Sequence, residues 1–133
     1  MAVIEVLAAR PSGRDGQAEI NWQGADLRGL SLQSSYVNTS RDESPVAGYL
    51  PFRFANLTEA DLRHAYFLGV DLRNALCVGV NLAHAELPDV NLKDAQMGEV
   101  DLTSAVLEDT SLRGANLSDA ILVGANMTSA RLT

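Results

Sequence analysis

At 133 residues the chain is the size of one domain, and its formal net charge of −7 disfavours direct binding of nucleic acid. Aromatic residues make up only 5% of the sequence, few for an ordinary globular core, and the lone Cys77 excludes an internal disulfide. No segment approaches the roughly 18 apolar residues of a membrane span, and Glu5 interrupts the apolar run after Met1. Neither a membrane segment nor a signal peptide is therefore expected, and the cytoplasm is the expected setting.

In chain order, "AVIEVLAA" reads as a strand, "RPSGRDGQ" as a turn-rich connection and "AEINW" as the start of the next strand. Residues 1–19 are expected to form an N-terminal cap on a structure that occupies residues 20–133. Inward pairs then recur five apart as Ile20/Trp22, Ala25/Leu27, Leu30/Leu32 and Ser35/Val37. Residues 40–49, "SRDESPVAGY", break the beat with charge, proline and glycine. A projecting loop or a distorted coil corner would each do this, and the choice between them decides the face on which the residues before 40 fall.

From Ala55 the beat is uninterrupted. A small residue stands at every fifth position from Ala55 to Ala130, and a large apolar residue or Cys77 stands two positions after each, sixteen times from Leu57 to Leu132. A helix would rotate such positions by about 140° per step and keep no apolar face, while an alternating strand would lose phase at each odd step. A fixed period of this kind is a stacked structural repeat, each unit too small to bury its own apolar side chains. Val70, Val80, Val90, Val100 and Thr110 lie ten apart, and Arg53, Arg73, Lys93 and Arg113 lie twenty apart. Four pentapeptides per coil satisfy both spacings.

The segments "ANLTEADLRH", "VDLRN", "VNLAH", "VNLKD", "VDLTS" and "ANLSD" resemble the pentapeptide-repeat family, whose units read Ala, Asp or Asn, Leu and two variable residues. The resemblance implies an all-β fold, a right-handed quadrilateral parallel β-helix with four pentapeptides per coil. It implies little about function, since one fold hosts many. One branch of the family imitates DNA and binds gyrase. The chain stops at "SARLT" with Leu132 at a core position, so two alternatives are expected at that end: stacking of two copies through Leu132, or continuation in a longer protein.

No catalytic constellation is visible. Cys77 takes a core position where other units have Leu, and the sequence has no phosphate loop, zinc spacing or nucleophile elbow. The chain is expected to be no enzyme and to need no cofactor. His64 and His84 would stack on adjacent coils near Asp61, Asn81 and Asp101; with no third convergent ligand they are weak candidates for a metal, and no metal site is expected.

Function is then expected on the outer faces. Arg53, Arg73, Lys93 and Arg113 form a basic ladder, with Asp71 and Asp94 on the same face. Glu86, Asp89, Glu108 and Asp109 form one acidic strip, and Glu59, Glu99 and Asp119 another. Tyr66 and Leu68, Leu76 and Val78, and Ile121 and Val123 place apolar side chains outward. These features point to a rigid, non-catalytic interaction or scaffold module that binds a protein partner. The alternative is an acidic DNA mimic that modulates gyrase, against which stand the basic ladder and the lack of that branch's C-terminal helical dimerisation module.

Overall fold

The structure, a computed structural model, describes residues 20–33 and 50–133. Four short strands are regular: β1 (Ser31–Gln33), β2 (Leu50–Pro51), β3 (Tyr66–Leu68) and β4 (Val70–Asp71). β1 pairs in parallel with β3 and β2 with β4. Elsewhere each pentapeptide contributes one parallel bridge residue, and the bridges join residues twenty apart, as in Asn81 to Asp101 and Asn91 to Ser111. Four ladders result. The first runs through Asn56, Leu76, Gln96 and Asn116, the second through Asp61, Asn81, Asp101 and Ile121, the third through Tyr66, Glu86, Val106 and Asn126, and the fourth through Asp71, Asn91, Ser111 and Arg131. The chain is a β-helix with parallel ladders.

Each unit is built by one turn. The N–H of Ala85 donates to the carbonyl of Leu82 at 3.0 Å, and Ala95 to Leu92 and Ala105 to Leu102 repeat the bond at 3.1 and 3.0 Å. In every such turn the second residue after the central one has a positive φ. All eighteen described positions of this kind comply: twelve non-glycine residues with φ of 54–61° and six glycines with φ of 61–70°. A negative φ followed by a positive one defines a type II turn, whose third residue favours Gly and Asn. Asp, Asn and His also tolerate that region, whereas a bulky residue there is an outlier. Phe54, with a φ of 61° and 58% exposure, is such an outlier. Phe54→Asn is expected to raise the unfolding free energy by about 1 kcal/mol by removing that penalty, and urea denaturation of the two proteins measures it.

The residue before the central one closes the other half of the turn. Wherever it is Asn or Asp, ten times in the described chain, its Oδ1 accepts the N–H two residues on. This local bond gives the Asn or Asp of the repeat a structural reason.

Packing follows from the two inward positions. Ala55, Ala75, Ala95, Val100 and Ala105 are fully buried at the corners, and Leu62, Leu92, Met97, Leu102 and Leu107 fill the axis with 0–1% exposure. Val70, Val90 and Thr110 stack in the fourth ladder, Val80 and Val100 in the second. Thr110 satisfies its buried hydroxyl by donating to the carbonyl of Leu87 at 2.6 Å.

The first coil has a different count. Asn21 bridges Asn56, Asp26 bridges Asp61 and Ser31 bridges Tyr66, all thirty-five apart, while Leu50 to Val70 returns to twenty. Fifteen extra residues, three pentapeptides' worth, therefore lie between Gln33 and Leu50. Because fifteen is a multiple of five the inward phase is kept, and Trp22, Leu27 and Leu32 stack over Leu57, Leu62 and Phe67. The Ser35/Val37 repeat, the loop or corner at 40–49 and the cap at 1–19 lie outside the described residues. Among those described, no helix is long and apolar enough to cross a membrane.

Candidate interaction faces

Three positions of each unit face outward: those one before, one after and two after the central residue. The ladder assignment brings the sequence candidates together in combinations that their spacing alone did not display. Glu59, Glu99 and Asp119 lie on the first ladder, and so do Leu76 and Val78, which are 43% and 38% exposed. Glu86, Asp89, Glu108 and Asp109 lie on the third ladder with Tyr66 and Leu68. The expected exposure of that apolar pair needs correction: both are half-buried, in β3, which pairs with β1 above and bridges Glu86 below.

The fourth ladder carries Arg53, Arg73, Lys93 and Arg113, with Arg131 in the neighbouring column. It is not a row of independent cations. The Arg73 Nε and Nη2 donate to the two Asp71 carboxylate oxygens at 2.8 and 2.6 Å, and the Arg53 Nε stands 3.9 Å from the same carboxylate. The side chains of Arg73 and Asp71 are only 17% and 9% exposed. The hydrogen bonds that Arg73 donates to the Asp71 carboxylate raise its pKa, against the opposing effect of burial. Lower on the ladder, the Arg113 Nε donates to the carbonyl of Thr133 at 2.8 Å.

The second ladder repeats the Asp and Arg pairing at its exposed start. Arg28 pairs with Asp26 at 2.6 Å and Arg63 with Asp61 at 2.7 Å, and these hydrogen bonds hold both aspartates below the ordinary carboxylate range. Pairs this exposed add little stability. Asp101 is also held low, first by its hydrogen bond with Thr103. His64 and His84 stack with ring centroids 5.1 Å apart and planes 7° from parallel. No group of three His, Cys, Asp or Glu side chains converges as metal ligands would among the described residues. Cys77 is 2% exposed, and burial pushes its thiol up to about 12, so little nucleophilic thiolate forms near neutrality.

The final coil exposes its apolar positions. Ile121 is 47%, Leu122 39%, Val123 71% and Leu132 54% exposed. Leu122 and Leu132 are axial residues, and each has fewer neighbours than Leu102 or Leu112, which have a further coil stacked below them.

Residues 52–76 and 95–133 match the family described as pentapeptide repeats, in eight copies. The chain belongs to the pentapeptide-repeat family. No curated protein sequence matches it. Among solved structures, a pentapeptide-repeat protein from the thylakoid lumen of Arabidopsis thaliana is 24% identical with a TM-score of 0.66, covering 82% of this chain and 66% of that one. HetL, a pentapeptide-repeat protein involved in heterocyst differentiation regulation from the cyanobacterium Nostoc sp. strain PCC 7120, is 27% identical with a TM-score of 0.59, covering 83% of this chain and 48% of that one. QnrB1, a plasmid-mediated fluoroquinolone resistance protein, is 10% identical with a TM-score of 0.59, covering 87% of this chain and 67% of that one. This pentapeptide-repeat protein therefore spans less than two thirds of the length of the first two.

The turn chemistry of the repeat re-weights the acidic and histidine candidates. His64, His84, Asp89, Asp94, Asp109 and Asp119 all occupy the positive-φ position, where their residue types are favoured by the backbone. Glu59 and Glu99 occupy it too, without that preference. The recurring Gly, Asn, Asp and His at every fifth residue was the signal in the sequence from which this turn could have been found.

Proposed function

We propose that the protein is a non-catalytic interaction module, a right-handed quadrilateral β-helix that binds a protein partner through its flat sides. The carrying observation is the division of labour within the unit. The inward positions pack the core and the turn positions fix the backbone, while the remaining outward residues differ from side to side. Acidic groups collect on the first and third ladders, and cations on the fourth between them. A shaft filled by its own side chains favours surface recognition over a pocket. A cytoplasmic setting belongs to the same proposal and rests on the unpaired Cys77.

The experiment is affinity capture with the wild-type chain and two pairs of charge reversals, Glu99→Lys/Asp119→Lys on the first ladder and Lys93→Glu/Arg113→Glu on the fourth. A partner retained by one pair and lost with the other supports the proposal. Capture of nothing above background, or equal capture by all three proteins, contradicts it.

Self-association through the final coil is part of the proposal, supported by the exposed Leu122 and Leu132. Light scattering is expected to give a dimer for the wild type and a monomer for Leu132→Asp. A wild-type monomer at all concentrations removes it. The second reading, an acidic imitation of DNA that binds gyrase, draws on the carboxylates of the first and third ladders. The cations of the fourth ladder oppose it, because they interrupt the negative field. Inhibition of gyrase supercoiling that is lost with Glu99→Lys/Asp119→Lys would favour this second reading.

A further inference from the structure

We propose that the first ladder docks an amphipathic helix of the partner that carries two cations about two helical turns apart with apolar residues between them. The proposal rests on the interaction-module function above and names the side and the chemistry of its ligand.

The centre of the site is the bridge residue Leu76 and the turn residue Val78, with Cys77 between them. Cys77 points into the core at 2% exposure, while Leu76 and Val78, on either side of it, face outward at 43% and 38%. Neither has a structural reason to be apolar. Leu76 stands in a column with Asn56, Gln96 and Asn116, and it brings no oxygen to the turn where Asn56 and Asn116 each accept a backbone N–H at 3.1 Å. Burying Leu76 and Val78 against a partner would recover apolar area that here faces water.

The surroundings keep the pair accessible. Directly below Val78 the ladder has Gly98, a position at which no positive φ demands glycine. Having no side chain, Gly98 cannot cover Val78 from below. Gly79 separates Glu59 above from Glu99 below, so both exposed carboxylates stand at the rim of the apolar pair. No Lys, Arg or His occurs at an outward position of this ladder among the described residues. The occupant that fits is apolar in the middle and cationic at both ends; an acidic segment would be repelled.

Spacing sets the register. Glu59 and Glu99 are two coils apart, about 9.6 Å at ordinary strand separation. Helical residues seven apart are about 10.5 Å apart along the axis. A helix lying along the rod thus sets Lys or Arg at the first and eighth positions over the carboxylates and Leu at the fourth and fifth over Leu76 and Val78.

The probe is a fluorescent alanine-based helix with Lys at positions i and i+7 and Leu at i+3 and i+4, measured by anisotropy, beside the same helix with Glu for Lys. Three doubly substituted proteins are compared: Leu76→Asn/Val78→Ser, Glu59→Gln/Glu99→Gln and, on the third ladder, Glu86→Gln/Glu108→Gln. The last two change net charge equally. Leu76→Asn restores the turn acceptor, and thermal melting confirms that each protein folds. The Lys helix is expected to bind the wild type, the two first-ladder variants to lose about tenfold or more in affinity, and the third-ladder variant to stay near wild type; the Glu helix should not bind. Failure of the Lys helix to bind, or equal weakening by the third-ladder variant, overturns the proposal. So does wild-type self-association dissociated by Leu76→Asn/Val78→Ser, since a second copy would then occupy the site. If affinity capture still retains a partner in those cases, the interaction-module function stands and only this docking mode falls.

Discussion

Replacing Asp71 by alanine is expected to lower the unfolding free energy by about 3–5 kcal/mol, the usual cost of stranding one member of a buried ion pair. The Asp71 carboxylate accepts two hydrogen bonds from the Arg73 guanidinium, stands 3.9 Å from Arg53, and also accepts the backbone N–H of Arg73 at 3.2 Å. Its side chain is 9% exposed and that of Arg73 is 17% exposed, so water cannot readily replace the lost partner. Alanine removes the charge and the turn acceptor together. Asp71→Asn keeps an acceptor for the backbone N–H and loses only the charge, so its cost should be smaller. Equilibrium denaturation of the three proteins checks this order. Equal, sub-kilocalorie effects of both substitutions would show that the fourth-ladder pair is solvated.

Leu102→Ala is the second large effect, expected to cost about 2–5 kcal/mol as a buried side chain is deleted and a cavity remains. Leu102 has 0% exposure, in the middle of the second ladder between Leu82 and Leu122. The same substitution at Leu122, 39% exposed at the final coil, should cost less than half as much, because fewer neighbours are lost and water can fill the space. Each coil contacts only its neighbours, so the unfolding curve of Leu102→Ala is also expected to broaden as the two halves uncouple. Similar costs at the two positions would mean that the final coil is packed as tightly as the middle.

Much of the fold was legible because its period is unlike that of any helix or strand. The alternation of Val and Ala at ten-residue steps identified two ladders, and the recurrence of Arg53, Arg73, Lys93 and Arg113 identified the coil, since both depend only on counting along the chain. The first coil was not legible in the same way. Residues 40–49 mark a break, but fifteen extra residues preserve the phase of five on either side of it, so the pattern does not say how many were added; the pairing of Asn21, Asp26 and Ser31 with Asn56, Asp61 and Tyr66 does. Side-chain pairing was also hidden. Asp71 and Arg73 are neighbours in sequence on the same face, but their depth depends on the coils above and below. The union of Leu76 and Val78 with Glu59 and Glu99 required the ladder register, because those residues are separated by up to two coils. The type II turn also selects Asp and His at its third residue, so the presence of those residue types at Asp89, Asp109, Asp119, His64 and His84 has a backbone reason that looks like a charge pattern until φ is known.

Every assignment of a residue to a side depends on the twenty-residue coil. Nuclear Overhauser contacts between the backbones of successive coils measure it most directly. Contacts joining Asn81 to Asp101, Glu86 to Val106, Asn91 to Ser111 and Gln96 to Asn116 are expected, together with Asn21 to Asn56 across the longer first coil. Contacts at a constant spacing other than twenty, or Asn21 facing a residue of a different ladder, would dissolve the four sides and the docking surface built on them.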